Sequence, residues 1–359
     1  MKVGILTWHK AVNHGAVLQA YASQKILQGF GFESIILDYS RVVVSPSVFR
    51  RFFNAITKIK KGTLFDRKII RDFDARKAEL FFSFRNNYLK MGGDYSSELC
   101  DVIMIGSDMV FNLKQGYNPY MFGYGLITKK FFSYAACSGG TTYELVKKYK
   151  KEEEIANGLK NFSSLGYRDE QTLVFIKSLC DRSDLVYNID PVLLYGFEKE
   201  KIAWTMEKWT QHKPYILIYS YHGYMENSEV NTIKRLAAEL ELDIISCGYY
   251  HTWCNESINA SPNEFLEMFV NARYVITDTF HGTVFSLICE KEFVSIIRDN
   301  GYKLMDLLQR CGLTNRIATC SEDIKRILST QTDYSYFRNW IKKERKCSEG
   351  YILEQITDR

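Results

Sequence analysis

The sequence predicts two successive doubly wound α/β domains facing a central cleft, and three observations carry that expectation. Short apolar runs alternate with stretches of helical periodicity through most of the chain. The apolar runs are continuous, as in strands buried on both faces of a parallel sheet. The series breaks at a charged, Trp-containing and poorly periodic stretch over 195–213, and then begins again.

Val3 to Trp8 is the first strand-like run. Gly15 to Leu27 follows with Val17, Leu18, Tyr21, Ala22 and Ile26 at helical spacing, and Phe30-Gly31-Phe32 closes it. Ser34 to Tyr39, built on Ile35, Ile36 and Leu37, is the next strand. Strand, helix and strand in so short a span form a βαβ unit. Further strands are predicted over 102–105, 131–135, 165–167 and 185–188, with helices over 152–159 and 171–179. After the interruption, strands are predicted over 214–219, 242–246, 274–277 and 293–297. Helices are predicted over 229–240, 262–270 (with Ser261 as N-cap) and 283–287. The series sets an N-terminal domain at 1–197 and a C-terminal domain at 213–316. A helical tail at 317–359 is expected to pack back on the N-terminal domain.

Residues 48–84 depart from the alternation and are expected as an insertion in the N-terminal domain. Val48, Phe49, Phe52, Phe53, Ile56 and Ile59 recur at helical spacing, interleaved with Arg50, Arg51, Lys58, Lys60 and Lys61. Such a basic amphipathic stretch has two readings. Residues 48–61 dock at an anionic membrane interface, or the apolar stripe packs on its own domain with a solvated basic face.

Composition bounds the function. The 359 residues are 46% hydrophobic and 25% charged, which excludes disorder for the bulk of the chain. Lys plus Arg is 47 against 42 Asp plus Glu, too small an excess for a nucleic-acid protein. The 24 Tyr and 23 Phe are expected to line clefts or interfaces. Nine cysteines without CxxC spacing suit a reducing compartment. Met1-Lys2 leads directly into the first strand, so no secretory leader is expected, and no apolar stretch is long enough to span a membrane. The expected location is cytoplasmic, with peripheral contact at the inner membrane face if residues 48–61 dock there.

Four segments carry candidate chemistry, each where a strand gives way to a helix or turn. In such folds ligands sit beyond the carboxyl ends of the strands. The first is Trp8-His9-Lys10-Ala11-Val12-Asn13-His14-Gly15, where a helix N-terminus favours an anion. There Asn13 either meets a ligand or caps the helix. The second is Gly106-Ser107-Asp108 with Asn112, suited to binding hydroxyls or to capping. The third is Arg168, which either grips a phosphate or carboxylate or pairs with a neighbouring acid. The fourth is Thr277-Asp278-Thr279-Phe280-His281-Gly282-Thr283, whose histidine is placed to act as general acid or phosphate ligand. Cys247, His251 and Cys254 are close in sequence but read as buried thiols near a loop, and no metal is expected. The GxGxxG, Walker, GxSxG and HExxH motifs are all missing.

Taken in order, the segments resemble the polysaccharide pyruvyl transferases. Asn13-His14-Gly15-Ala16-Val17-Leu18-Gln19 is similar to the family's "N-x-G-A-x-L-Q", and Gly106-Ser107-Asp108 through Asn112 to "GSDQVWN". Arg168-Asp169 with Asp190-Pro191 is similar to the "VRE…DP" region, and Thr277 to Thr283 to "TDSFHGT". The resemblance spans about residues 3–315. It implies a GT-B-like fold of two Rossmann-like domains. It also implies transfer of a pyruvyl group from phosphoenolpyruvate onto two hydroxyls of a sugar, forming a cyclic ketal on a bacterial surface polysaccharide or its lipid-linked precursor. No cofactor is implied.

On that resemblance His281 is the proton donor or phosphate ligand, and Asp278 orients it or caps the helix. Arg168 helps to hold the trianionic donor, with Thr279 and the amides of Phe280, Gly282 and Thr283 beside it. Asn13, His14, Gly15, Ser107, Asp108 and Asn112 line the acceptor side. Many members carry Arg two residues before the histidine, where this chain has Thr279. Arg298 and Lys303 are the substitute cations nearest in sequence. Two other readings are a GT-B glycosyltransferase using a nucleotide sugar and a non-catalytic glycan-binding member.

Overall fold

A computed structural model describes residues 1–39, 64–94, 99–126, 128, 130–221, 224–298 and 301–358. The stripe and basic residues of 48–61 lie outside these residues. Among the described residues the chain forms two compact units. The first draws on Met1–Ser45, Arg85–Gly196 and Arg338–Arg359, and the second on Pro46–Phe84 and Phe197–Phe337.

The first unit is built on seven parallel strands: β1 (Lys2–Leu6), β2 (Glu33–Asp38), β3 (Met91–Asp94), β4 (Val102–Ile105), β5 (Phe131–Ala136), β6 (Leu165–Tyr167) and β7 (Leu185–Tyr187). Their order is β3-β2-β1-β4-β5-β6-β7. Val3 is in register with Ser34 on one side and Val102 on the other. The order therefore reverses between β1 and β4, which opens a switch point at their carboxyl ends. Helix α1 (His14–Gly29) returns the chain from β1 to β2. Ile35, Leu37, Ile103 and Ile105 are buried with Phe111, Phe122, Phe131 and Phe162, the apolar core that the continuous runs foretell.

The second unit repeats the plan with six parallel strands: β8 (Tyr215–Tyr219), β9 (Asp243–Cys247), β10 (Glu256–Ile258), β11 (Tyr274–Thr277), β12 (Glu292–Ile296) and β13 (Ile317–Ala318). Their order is β10-β9-β8-β11-β12-β13, so the switch point lies between β8 and β11. On one face Ile216, Ile218, Ile276 and Val294 pack with Ile233, Leu236 and Ala237. On another, Tyr219, Phe265, Phe269 and Phe285 form a buried ring cluster with centroids as close as 4.8 Å. Much of the aromatic content thus builds core, where the composition suggested clefts or interfaces.

Two expectations are corrected here. Residues 64–84, expected with the N-terminal domain, belong to the second unit as most of helix α2 (Leu64–Tyr88). Residues 317–337 are not a separate tail, because β13 pairs with β12 and Ile324, Ile327 and Leu328 join the second core. From Arg338 onward the chain belongs to the first unit, where Tyr351 donates its hydroxyl to the carbonyl of Ser133 at 2.9 Å. Strands β3, β10 and β13 have no counterpart in the sequence reading. β3 is Met-Gly-Gly-Asp, and glycine there lets Ile35 approach to 2.7 Å from where a Cβ would stand on Gly92.

Candidate active site

In the first unit, side chains at the carboxyl ends of β1, β4 and β6 form one buried polar network. Gln19, on α1, donates its amide to the Thr7 hydroxyl at 2.7 Å and accepts from the Ser107 backbone at 3.3 Å. The Ser107 hydroxyl donates to Asp190 Oδ2 at 3.4 Å. Arg168, 4% exposed, completes the network, donating to Asp190 at 2.6 Å and to Asp108 at 3.4 Å. Burial opposes the charge of the guanidinium. The Cys137 sulfur and the carboxylates of Asp190, Asp108 and Asp169 outweigh that, holding its pKa above the ordinary value.

In this geometry the Arg168 guanidinium pairs with two neighbouring carboxylates, one of the two readings left open for it. Gly106 owes its identity to the backbone, since a Cβ there would stand 2.1 Å from the Tyr134 carbonyl at φ +126°. Asn13 and Asn112 are caps, accepting from the amides of Ala16 at 3.1 Å and Lys114 at 2.8 Å. His14, Gly15 and Ser107 are buried. Of the residues expected on the acceptor side, Ser107 and Asp108 join the network at the switch point, while Asn13 and Asn112 cap separate elements. Thr7, Gln19 and Asp190, which hold that network together, were not among the candidates, although Gln19 and Asp190 stand inside the quoted motifs.

In the loop after β1 His9 is buried, whereas Lys10 and Val12 are exposed. Lys10 pairs with Asp38. Buried His9 lies near the same acid, with its Nε2 3.7 Å from Asp38 Oδ1 and its ring edge-on to Tyr39. Burial is the main cause that lowers its pKa to about 4, so the imidazole is neutral at neutral pH.

In the second unit the carboxyl edge is more open in chemistry. Asp278 follows β11 and accepts from the Ser220 hydroxyl at the end of β8, at 2.7 Å across the switch point. Arg298, after β12, approaches the same Oδ2 at 3.4 Å and binds Glu229 through both terminal nitrogens at 2.8 Å each. Glu229 lies on helix α3 (Asn227–Glu239). Asp278 Oδ1 is buried and has no hydrogen-bond partner among the described residues. Burial raises the Asp278 pKa above 3.8, against the lowering effects of Ser220 and Arg298.

Helix α4 (Phe280–Ile288) starts one residue after Thr279, which caps it by accepting from the Gly282 amide at 2.9 Å. The Thr283 amide donates to the Thr279 carbonyl. The Gly282 and Thr283 amides are thus used inside the cap and are not available to hold a donor. Nor does Asp278 cap the helix, because Thr279 does. His281 lies in the first turn, buried, edge-on to Phe280 at 5.3 Å. Lys303, on helix α5 (Tyr302–Arg310), places its ammonium 5.8 Å from the centre of the Phe280 ring. The two substitute cations named from sequence therefore flank the motif, Arg298 beside Asp278 and Lys303 beside Phe280.

Gly282 is fixed by packing. A Cβ there would stand 2.1 Å from Thr277 Oγ1 and 2.7 Å from Thr279 Oγ1. Gly282→Ala is therefore expected to cost about 1–3 kcal/mol by overpacking, read as a lowered denaturation midpoint. Unchanged stability would mean that the cap tolerates the methyl group. Cys247 ends β9 and His251 and Cys254 follow it, without forming a ligand set. His251 Nε2 lies 3.1 Å from the Ser220 carbonyl, and among the described residues no three His, Cys, Asp or Glu side chains are grouped to hold a metal.

Two Rossmann-like parallel units with their polar residues gathered at strand carboxyl ends define a GT-B-like α/β enzyme. The chain belongs to the polysaccharide pyruvyl transferase family, whose model, described as polysaccharide pyruvyl transferase, matches residues 13–300. It is accordingly a transferase. No curated protein matches the chain in sequence. Among solved structures it is similar to a UDP-GlcNAc 2-epimerase from Neisseria meningitidis bound to UDP-GlcNAc (TM-score 0.54, 10% identity, 100% of each chain covered). It is also similar to S. aureus MnaA in a co-structure with UDP (0.55, 10%, 100% of this chain and 98% of that one). A third is a putative UDP-N-acetylglucosamine 2-epimerase from Listeria monocytogenes (0.51, 10%, 98% and 94%). At these identities the likeness is one of fold. Among the described residues no helix is long and apolar enough to cross a membrane.

Proposed function

We propose that this enzyme moves the pyruvyl group of phosphoenolpyruvate onto two hydroxyls of a sugar in a bacterial surface polysaccharide or its lipid-linked precursor. The observation that carries the reading is the constellation at the β8–β11 switch point. Asp278, with its raised pKa, stands two residues before a capped helix whose first turn holds His281, and Arg298 and Lys303 flank it.

The chemistry assigns complementary roles. His281 gives a proton to the methylene carbon of the donor while a sugar hydroxyl attacks C2. Asp278 takes the hydroxyl proton, since a carboxylate of raised pKa is the stronger base. Phosphate then leaves as a second hydroxyl adds to the same carbon, its proton passing to the His281 that gave up its own in the first step, and the ketal closes. Arg298 and Lys303 stabilise the charge of the phosphate. No metal or cofactor is needed for this route. The basic stretch at 48–61 is proposed to bring the enzyme to an anionic inner leaflet and its lipid-linked acceptor.

A donor screen tests the reading. Phosphate release from phosphoenolpyruvate that depends on a sugar acceptor supports it. Nucleotide release from a sugar nucleotide, without phosphate from phosphoenolpyruvate, would overturn it in favour of glycosyl transfer.

Asp278 also gives a pH prediction. Its folded pKa lies above its unfolded value, so over the window above 3.8 the folded state holds a proton that the unfolded chain has lost. Stability contributed by this proton is present at the acid end and is lost as pH rises through the folded pKa. Relative to the native enzyme, Asp278→Asn is expected to gain stability as pH rises from about 4 to about 7, read by urea midpoints at each pH. A pH-independent difference would contradict the raised pKa.

A further inference from the structure

A cavity of about 630 Å³ opens in the second unit, and its lining shares no residue with the site at the β8–β11 switch point. That is the size of an ordinary small-ligand pocket. One wall is helix α2. Ile69, Asp72, Phe73 and Arg76 recur along it at three- and four-residue spacing and so share one face. Opposite stand Ile258 at the end of β10, Asn259 just beyond it, and Glu264 in the first turn of the helix Pro262–Asn271. Asn259 ties the two sides together by donating its amide to the Phe73 carbonyl.

The lining selects for a ligand. Its acids and bases balance, Asp72 and Glu264 against Arg76 and Lys208. Lys208 and Glu264 answer each other at 3.3 Å, and Glu264 also accepts from the Trp209 ring nitrogen at 3.2 Å. An ionic ligand of either sign would meet a like charge, so the cavity suits a neutral one. Three polar groups remain to hold it. Arg76 is exposed and has no hydrogen bond or ion pair with a described residue. Asn259 Oδ1 is buried and has no hydrogen-bond partner among the described residues. The exposed carboxylate of Asp72 meets its sequence neighbour Arg71 at 3.5 Å. Donors on Arg76 and acceptors on Asp72 and Asn259, set among Ile69, Phe73 and Ile258, match a ring with hydroxyls on its rim and C–H groups on its faces. A sugar has that chemistry.

The cavity is also well placed for one. The strands of the second sheet are parallel, so the carboxyl end of β10 lies on the same edge as the motif that follows β11. Along the order β10-β9-β8-β11 the two are three strand spacings apart, about 14 Å of sheet. A polysaccharide acceptor carries further sugars beside the one that reacts, and they need a surface to lie on. We propose that the cavity beside β10 binds a sugar of the acceptor glycan that is not itself modified, with Arg76, Asp72 and Asn259 as its hydrogen-bond partners. The inference rests on reading the β8–β11 edge as the site of transfer, and its test separates the two.

The native enzyme, Arg76→Ala and Ile69→Trp are titrated calorimetrically, without donor, with mono-, di- and tetrasaccharides of galactose, mannose and N-acetylmannosamine. Transfer from phosphoenolpyruvate to the same saccharides and the melting temperature are measured alongside. The native enzyme is expected to bind a tetrasaccharide more tightly than the matching monosaccharide, and its acceptor KM should fall with length in the same way. Loss of the guanidinium contact in Arg76→Ala should weaken tetrasaccharide binding roughly 10-fold, and the advantage of length should vanish from the KM. Ile69→Trp, which fills the cavity, should do the same. Arg76→Ala should melt like the native protein, since its side chain is exposed and unpaired among the described residues. If both variants lose saccharide binding but the native enzyme releases no phosphate from phosphoenolpyruvate, the sugar subsite stands and the donor reading falls. If transfer proceeds and both variants bind and use the tetrasaccharide like the native enzyme, the inference alone falls. Absence of measurable binding of any of these saccharides by the native enzyme overturns the inference as well.

Discussion

His281→Ala is expected to lower pyruvyl transfer about 10²–10⁴-fold, the usual cost of removing a positioned general acid. The fold should survive. His281 is one buried side chain in a helix whose start is held by Thr279 and whose apolar residues, Val284, Phe285 and Leu287, are fully buried. The check is single-turnover transfer from phosphoenolpyruvate together with the melting temperature. A variant that melts like the native enzyme and still transfers at a near-native rate would remove His281 from the chemistry. A variant that fails only because it unfolds would show a lowered midpoint, and His281→Gln, which keeps a polar side chain of similar reach, then separates fold from function.

Arg168→Ala is expected to act on stability. Removing the guanidinium leaves Asp190, whose side chain is fully buried, and Asp108, nearly so, without their cation. Breaking a buried ion pair from one side costs about 3–5 kcal/mol. Asp190→Ala should cost a similar amount by stranding Arg168, and the double variant should cost less than the sum because the two share one interaction. Denaturant midpoints of the three variants measure this. Native-like stability of Arg168→Ala, with a loss confined to the donor KM, would instead return Arg168 to the donor site.

The contrast between these two residues shows what the sequence makes legible. Periodicity reveals both sheets, because strands buried on two faces must be continuously apolar. It misses β3, β10 and β13, which are short, and β3, Met-Gly-Gly-Asp, has no apolar run to show. The motifs locate the carboxyl edges correctly, since a strand must end before a polar loop begins. What residue type alone does not reveal is the partner. Arg168, Asn13 and Asn112 have the chemistry of ligand contacts and the geometry of ion pairs and caps. Their partners, Asp190 and the amides of Ala16 and Lys114, are fixed by the fold. Thr279 shows the same limit. As a substitute for arginine it is a gap, but as a residue it is the N-cap that starts the motif helix.

The central claim is that the carbon skeleton of phosphoenolpyruvate ends on the sugar. The most direct test incubates the enzyme with carbon-labelled phosphoenolpyruvate and lipid-linked acceptors containing galactose, mannose or N-acetylmannosamine, and follows label and phosphate together. The account predicts one phosphate released for each labelled pyruvyl group retained on the acceptor, with the label recovered as pyruvate after mild acid opens the ketal. Phosphate release without label on any acceptor, or acceptor modification that requires a sugar nucleotide and leaves phosphoenolpyruvate intact, would contradict it.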